Sequence, residues 1–149
     1  MANLAAPLRI YPYNSWHLQQ RGIFNFNTTS GSPTYVHMKT NIYAPGNDSM
    51  WMFEAVGYAY GGAAPIRCSW GLYVYSNNLY QTGVANIYGG MSADGIYLSS
   101  DRYVCIRAQS GGMYYLGFTL NVYACRLDTT HQNVSISAAV QSDNAGNYY

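Results

Sequence analysis

The stretch that decides the fold is Gly112–Arg126, GMYYLGFTLNVYACR, because two rows of residues alternate along it. The apolar row is Leu116, Phe118, Leu120, Val122 and Ala124. The second row is Tyr115, Gly117, Thr119, Asn121, Tyr123 and Cys125. A period of two is that of a strand with one face in a core. The second row lacks the charged side chains typical of strands that meet water, so we expect it to contact another subunit or a second sheet.

Similar strands recur along most of the chain, separated by turn residues. They are predicted at Thr34–Ile42, Met50–Tyr60, Ile66–Val74, Leu79–Tyr88, Ile96–Ser99, Arg102–Gln109, Gly112–Arg126 and Val134–Val140. Pro, Gly, Asn and Asp in Ala44–Ser49 predict a turn, and Ser76–Asn78 predicts a hairpin connection. Strands about ten residues apart, with no helical periodicity between them, predict an all-β fold: a single antiparallel β-sandwich or jelly-roll domain.

The two ends of the chain differ from this middle part. Residues 1–33 combine prolines, a polar run and scattered aromatics without a long strand pattern, which predicts an extended N-terminal arm. The sandwich is then expected at residues 34–141 and a C-terminal tail at residues 142–149. The arm aromatics that we expect to dock on a protein surface are Tyr11, Tyr13, Trp16, Phe24 and Phe26.

The composition indicates contact with other protein surfaces. Only 9% of residues are charged and Lys39 is the single lysine, whereas ordinary domains carry roughly 25% charged residues. The 17 Tyr and six Met match the enrichment found at the centres of protein interfaces. We therefore expect a homo-oligomer. Besides the arm aromatics, the interface residues expected on the strands are Tyr73, Tyr75, Tyr115 and Tyr123.

Charge and cysteine usage narrow the range of partners. A net charge of +1 without a basic cluster gives no footprint for nucleic acid or an anionic membrane, and no run is long and apolar enough to span a bilayer. The three cysteines have no paired spacing, which favours buried free thiols over disulfides or zinc. No cofactor is predicted.

Catalytic groups are sparse. Glu54, Asp94 and Asp101 supply the pairs of acids that a glycosidase would need, but Asp in this chain mostly occupies turn positions. The histidines at 17, 37 and 131 form no ligand pattern. The sequence therefore predicts no catalytic residue and no metal site, and a glycoside hydrolase is the weakest of the functions considered.

Four segments carry a resemblance to a known group of proteins. They are HMKTNIY at His37–Tyr43, WMFEAVGYAYG at Trp51–Gly61, IRCSWGLYVYSN at Ile66–Asn77 and DGIYLSSDRYVCIR at Asp94–Arg107. Together they resemble small β-domains of bacteriophage virion proteins, which end tail fibres or decorate heads in phages of aquatic bacteria such as cyanophages. The resemblance covers Thr34–Val140 and contains no catalytic motif.

The resemblance implies a non-enzymatic, trimeric structural protein of the virion, assembled in the host cytoplasm. A short arm before a compact domain favours a capsid decoration or cement protein that docks on the major capsid protein. A tail-fibre tip that recognises the host surface is the first alternative. A soluble lectin whose aromatic side chains stack on sugars, with a host-surface glycan as ligand, is the second.

Overall fold

The computed structural model describes residues 8–10, 17–28, 33–60, 64–110, 115–126 and 133–149. Within these ranges the chain forms ten strands. They are β1 (Leu8–Ile10), β2 (His17–Thr28), β3 (Tyr35–Tyr43), β4 (Ser49–Ala59), β5 (Ala64–Tyr75), β6 (Asn78–Tyr88), β7 (Ser92–Leu98), β8 (Tyr103–Gln109), β9 (Leu116–Arg126) and β10 (Ile136–Ser142). No helix in the described residues is long and apolar enough to cross a membrane.

The strands form two antiparallel sheets that pack as a β-sandwich, which confirms the predicted fold class. The six-stranded sheet has the order β1-β2-β9-β4-β5-β6, and the four-stranded sheet has the order β10-β3-β8-β7. Trp51 and Trp70 of the larger sheet and Met38 of the smaller one are fully or almost fully buried in the core between them. The Trp70 indole Nε1 donates a hydrogen bond of 2.8 Å to the Arg107 carbonyl. Even the polar edge of this core side chain therefore links the two sheets.

Strand β9 has the two faces that its sequence predicts. Its apolar row is buried, whereas the row from Gly117 to Cys125 is intermediate or exposed. Since the buried row faces the four-stranded sheet, the other row points away from it, and the expectation of a second sheet on that side is wrong. Tyr115 precedes the strand with a left-handed φ of 48°.

The predicted arm differs most from the structure. Residues 17–28 form β2, which pairs antiparallel with β9 and joins the larger sheet. Phe26 lies opposite Phe118 with ring centroids 5.3 Å apart, and Phe24 also packs against the core. The sandwich therefore includes residues N-terminal to the expected boundary at Thr34. A bulge between Gln20 and Phe24 interrupts the alternation of β2, which explains why no long strand pattern was visible.

The β5–β6 hairpin matches its prediction. Ser76 and Asn77 form the turn with φ values of 52° and 66°. Two consecutive residues with positive φ are the geometry of a tight turn that suits the twist of paired strands. The hairpin ends in β6, the last strand of the larger sheet, and ten of its eleven residues are exposed.

The C-terminal residues after β10 lie against the smaller sheet. The His37 Nε2 donates a 2.7 Å hydrogen bond to the Asn144 carbonyl, and its Nδ1 accepts one of 2.9 Å from the Tyr97 hydroxyl. Arg107 donates to the Ala145 and Gly146 carbonyls, and the Tyr148 amide donates to the Tyr97 hydroxyl. Residues 143–149 thus cover the side of the four-stranded sheet that faces away from the core.

Candidate binding surface

The surface best suited to binding is the side of the six-stranded sheet that faces away from the core. We define the outer face as the outward rows of β4, β5, β6 and β9. Its described charged side chains are Glu54 and Arg67, which pair with an N–O distance of 3.3 Å. This hydrogen bond raises the pKa of Arg67 further above its ordinary value. The two charges neutralise each other, so the described side chains of the outer face carry no net charge.

Large apolar and aromatic side chains are exposed on this outer face. Val56 is 42% exposed and Tyr58 is 50% exposed, both on the outward row of β4. Met50, Met52 and Tyr123 on the same face are partly exposed. Scattered exposed apolar residues are ordinary, whereas a contiguous group of them indicates an interaction site.

Three tyrosine rings form a compact group at the turn end of the outer face. This tyrosine cluster consists of Tyr73, Tyr75 and Tyr80, with ring centroids 5.6 to 5.8 Å apart. The register places Tyr73 opposite Gln81 and Val74 opposite Leu79, so Tyr80 is an extra residue in a β-bulge. Bulges re-aim side chains, and this one places the Tyr80 ring against the two rings of β5.

An open groove of about 780 Å³ lies beside the tyrosine cluster. It is lined by Met50, Gly71, Leu72, Tyr73, Tyr80, Gln81, Thr82, Gly83 and Cys125. Gly71 and Gly83 lie opposite each other on β5 and β6. A Cβ on Gly83 would meet no atom within 4 Å, and one on Gly71 would meet only the Gly83 carbonyl at 3.9 Å. The groove therefore exists because two facing residues have no side chain.

A second, smaller depression lies on the same face. It has a volume of about 380 Å³ and is lined by Asn25, Phe26, Asn27, Val56, Gly57, Tyr58, Gly117, Phe118 and Thr119. Here the strands themselves require glycine: a Cβ on Gly57 would lie 2.0 Å from the Gly117 carbonyl oxygen. These two depressions thus differ in origin: close strand packing maintains the second, whereas unfilled space forms the first.

The predicted interface residues do not form one group. Tyr73 and Tyr75 lie together in the tyrosine cluster, and Tyr123 lies on the outer face opposite Met52 of β4. Tyr115 lies apart from them, 61% exposed, with its ring 5.8 Å from that of Tyr60.

The predicted arm aromatics have a different outcome. Phe24 and Phe26 are partly buried and pack against the core of their own domain, and Phe26 also lines the second depression. Tyr11, Tyr13 and Trp16 lie outside the described residues. Two of the five predicted aromatics therefore belong to β2, a strand that the sequence pattern did not predict.

The acids considered for catalysis are all engaged in ion pairs. Asp94 accepts a 2.6 Å hydrogen bond from the Arg107 Nε, and Asp101 accepts one of 2.6 Å from Lys39. The hydrogen bonds from Lys39 and then Ser99 lower the pKa of Asp101. Glu54 pairs with Arg67 on the outer face. Among the described residues, no three His, Cys, Asp or Glu side chains come together as a metal site would require.

The cysteine prediction is correct for two of three residues. Cys68 and Cys105 are buried free thiols, and burial raises the pKa of each to about 11. Cys125 is exposed, so the expectation that it is buried is wrong. It belongs to the outward row of β9, where alternation places it away from the core.

Three features of this surface were not predicted as site residues: Tyr80, the Gly71–Gly83 pair and the exposure of β6. A bulge and a glycine pair depend on the register between two strands, which a sequence does not display. The available signal was the run Asn78–Tyr88, which has no charged residue. A charge-free strand is unusual at the edge of a sheet, but its place at the edge is known only from the fold.

Searches against protein-family models, curated proteins and solved structures find no match to this chain.

Proposed function

We propose that this protein is a non-enzymatic structural protein of a bacteriophage virion, a trimeric capsid decoration protein that docks on the head shell and stabilises it. The observation that carries the proposal is the outer face, which presents exposed Val56 and Tyr58 and whose two described charges balance each other within one pair. Moving such a surface from water into a protein interface costs little desolvation free energy, because few charges lose their hydration. The partners proposed are further copies of the chain and the major capsid protein.

The action we propose is adhesion without a chemical step. Burial of apolar area contributes roughly 25 cal/mol per Å², and standard protein interfaces bury on the order of 1,600 Å². A shell carries many identical sites, so contacts that are weak one at a time reinforce each other once the first has formed. The engagement of Glu54, Asp94 and Asp101 in ion pairs supports a role without catalysis.

The test of this proposal is binding to expanded, DNA-free shells purified from the phage that encodes the chain. The protein should sediment with the shells and raise the temperature at which they break. Position 56 lies opposite Arg67, which already pairs with Glu54. Val56→Glu therefore gives the outer face one more carboxylate than Arg67 neutralises, and it should weaken binding at least tenfold. Gln109→Glu is the matched control, because Gln109 is exposed at the end of β8 in the other sheet. Failure of the unmodified protein to bind shells, or equal binding by the Val56→Glu variant, would contradict the proposal.

The groove beside the tyrosine cluster favours an alternative, recognition of a sugar. Aromatic rings can pack against the apolar face of a sugar while their hydroxyls make hydrogen bonds, and Gln81 and Thr82 add further polar groups to the lining. In a tail-fibre tip this groove would recognise a host-surface glycan, and in a soluble lectin a free one. Both versions use the same residues.

Glycan-array binding distinguishes this alternative from shell docking. If the groove binds sugar, Tyr73→Ala and Tyr80→Ala should each remove the array signal, whereas Tyr58→Ala, an exposed tyrosine outside the groove lining, should leave it intact. A tail-fibre tip should in addition adsorb to host cells and compete with the phage. Absence of signal from the unmodified protein on the array and on cells would remove this alternative.

A further inference from the structure

Strand β6 is exposed both along one backbone edge and at most of its side chains. It is hydrogen-bonded to β5 on one side and is the last strand of the six-stranded sheet. Val84 is 46% exposed and Ile87 is 57% exposed, because the opposite sheet has only four strands. Within the described residues, β6 thus combines a free backbone edge with side chains exposed on both of its faces.

An edge of this kind normally carries protection against pairing. Soluble proteins place lysine, proline, a bulge or an inward charge on exposed edges. β6 contains no charged residue and no proline. Its bulges lie towards its two ends, and between them Gln81–Asn86 pairs with β5 in unbroken register. The central segment therefore offers regular, unpaired backbone groups.

We propose that two copies of this chain pair through β6, antiparallel, about a two-fold axis at Gly83. Gly83 is the middle residue of Asn78–Tyr88. A register centred on it places glycine opposite glycine and Thr82 opposite Val84 of the other copy. Cross-strand pairs between β-branched residues are favourable. Because β6 has no charge, the two copies bring no like charges together, so the strand complements itself.

The other three edge strands are shorter than β6, and β10, at one edge of the smaller sheet, has seven residues with a bulge between Ile136 and Ala138. At the far edge of the same sheet, β1 has three residues. In the smaller sheet, the edge strand β7 contains Asp94, which pairs with Arg107. The Asn86 side chain accepts from the Ala93 amide at 2.7 Å, which anchors β6 over β7 while leaving its backbone edge free. Pairing of equivalent edges also gives a closed, two-fold assembly.

This contact goes beyond the proposed function, which depends on the outer face. It predicts an even number of subunits: a dimer if β6 is the only contact, and a hexamer if trimers also form. It also makes the two Gly71–Gly83 grooves neighbours across the axis. A partner of another sequence adding a strand to β6 is the outcome that the experiments must separate from self-pairing.

Charge exchange tests the pairing and its register. Thr82→Lys combined with Val84→Lys sets lysines opposite lysines across the axis, and the even-numbered oligomer should be lost in analytical ultracentrifugation. A copy with Thr82→Glu and Val84→Glu should also fail to pair with itself. Mixing the two variants should restore pairing, because each lysine then faces a glutamate. Both positions are exposed, so these variants should fold as the parent does.

Cross-linking supplies an independent measurement. Residues directly opposite in an antiparallel pair have Cα atoms roughly 4.5–5.5 Å apart, within the disulfide range of roughly 4.4–6.8 Å. Gly83→Cys, made with Cys125→Ser to remove the exposed native thiol, should form a disulfide-linked dimer under mild oxidation. Gln109→Cys with Cys125→Ser is the control, and it should cross-link at least tenfold more slowly.

The charge-exchange and cross-linking experiments both test the contact between two copies of β6. Restoration of pairing in the mixture together with fast cross-linking at position 83 supports self-pairing. A monomer, an odd-numbered oligomer unaffected by the lysine variant, or cross-linking no faster than the control would overturn it, and a monomer that gains a heterologous strand would point to another partner. Shell binding of the lysine variant is read separately, so either proposal can fail without the other.

Discussion

The two sides of the sandwich that face away from the core share an architecture but differ in what covers them. On the four-stranded sheet, the buried side chains of His37 and Tyr97 are covered by residues 143–149. On the six-stranded sheet, no segment of the described residues covers Val56, Tyr58 or β6. Within the described residues, the chain thus covers one side with its own C-terminal segment and leaves the other, the bare side, uncovered.

The difference in polar groups between the two sides shows what each is suited to contact. The covered side places His37, Asp94 and Arg107 where backbone groups and each other satisfy their hydrogen bonds. On the bare side, the described side chains of the outward rows of β4, β5, β6 and β9 include one ion pair and are otherwise uncharged. Buried polar groups stabilise a unique structure when all are satisfied, whereas an uncharged exposed surface favours association. We infer that the first side maintains the fold and the second serves binding.

Deletion of residues 143–149 should have the largest effect on stability. It removes the hydrogen bonds that join His37, Arg107 and Tyr97 to the tail, and each such hydrogen bond contributes a net stabilisation of about 1 kcal/mol. We expect a loss of about 3 kcal/mol in the free energy of unfolding, measured by urea denaturation. Val56→Thr on the bare side is the control and should change it by less than about 0.5 kcal/mol. Equal losses would contradict the assignment of the covered side to stability.

His37 should make the covered side sensitive to pH. Burial is the main cause that lowers the pKa of His37, and nearby Arg107 adds to it, while the hydrogen bond to Asn144 and the charge of Asp94 act in the opposite direction. A lowered pKa in the folded state means that the unfolded chain binds more protons. The contribution of neutral His37 to the free energy of unfolding is therefore fully present above the ordinary histidine pKa of about 6.5, and it decreases as the pH falls below that value.

His37→Gln tests this dependence. The substitution should cost about 1–2 kcal/mol at pH 7, because the Tyr97 hydroxyl and the Asn144 carbonyl lose their partner. It should also remove most of the decrease in stability between pH 7 and pH 5, as measured by thermal unfolding at each pH. A variant as sensitive to pH as the parent would show that another group is responsible.

A structural property of this chain could be predicted from its sequence when neighbouring residues determine it, and not when distant strands do. Alternation along β9 predicted its buried row correctly, because a period of two directly reports a half-buried strand. Strand β2 was not predicted, because its bulge, near Gly22 with its positive φ, interrupts the alternation of residues between the two faces. The faces of Phe24 and Phe26 were missed for the same reason.

The candidate site was less accessible to sequence reasoning than the fold. Tyr73 and Tyr75 were predicted by residue type and by their place on an outward row. Their grouping with Tyr80 depends on a bulge between two strands, and the groove depends on Gly71 facing Gly83. The coverage of His37 by residues about 107 positions later is likewise a long-range contact, which no local pattern encodes.

Lys39 should have a smaller effect than His37, because its partner is exposed. The Lys39 Nζ lies 2.6 Å from Asp101 and within 6 Å of the ring centroids of Tyr103 and Tyr149. Exposed ion pairs contribute little to stability. Lys39→Met should therefore lower the urea midpoint only slightly, while the pKa of Asp101 rises towards its ordinary value, since the hydrogen bond from Lys39 is the main cause of its lowering. NMR titration of the Asp101 carboxyl group measures this, and an unchanged pKa would contradict the pairing.

The smallest change in stability is expected at the ion pair of the bare side, where the change in association should nevertheless be clear. Arg67 is 47% exposed, whereas the Glu54 side chain is 14% exposed. Because water reaches the pair at Arg67 and its 3.3 Å contact is longer than that of Lys39 with Asp101, Arg67→Gln should lower the urea midpoint less than Lys39→Met does. It also leaves Glu54 as an unpaired charge, which is costly to bury against a partner. Shell binding should therefore weaken in Arg67→Gln and recover when Glu54→Gln is added, because the face is again neutral. If the double variant binds as poorly as the single one, the arginine itself contacts the partner, and neutrality of the bare side is not the property that matters.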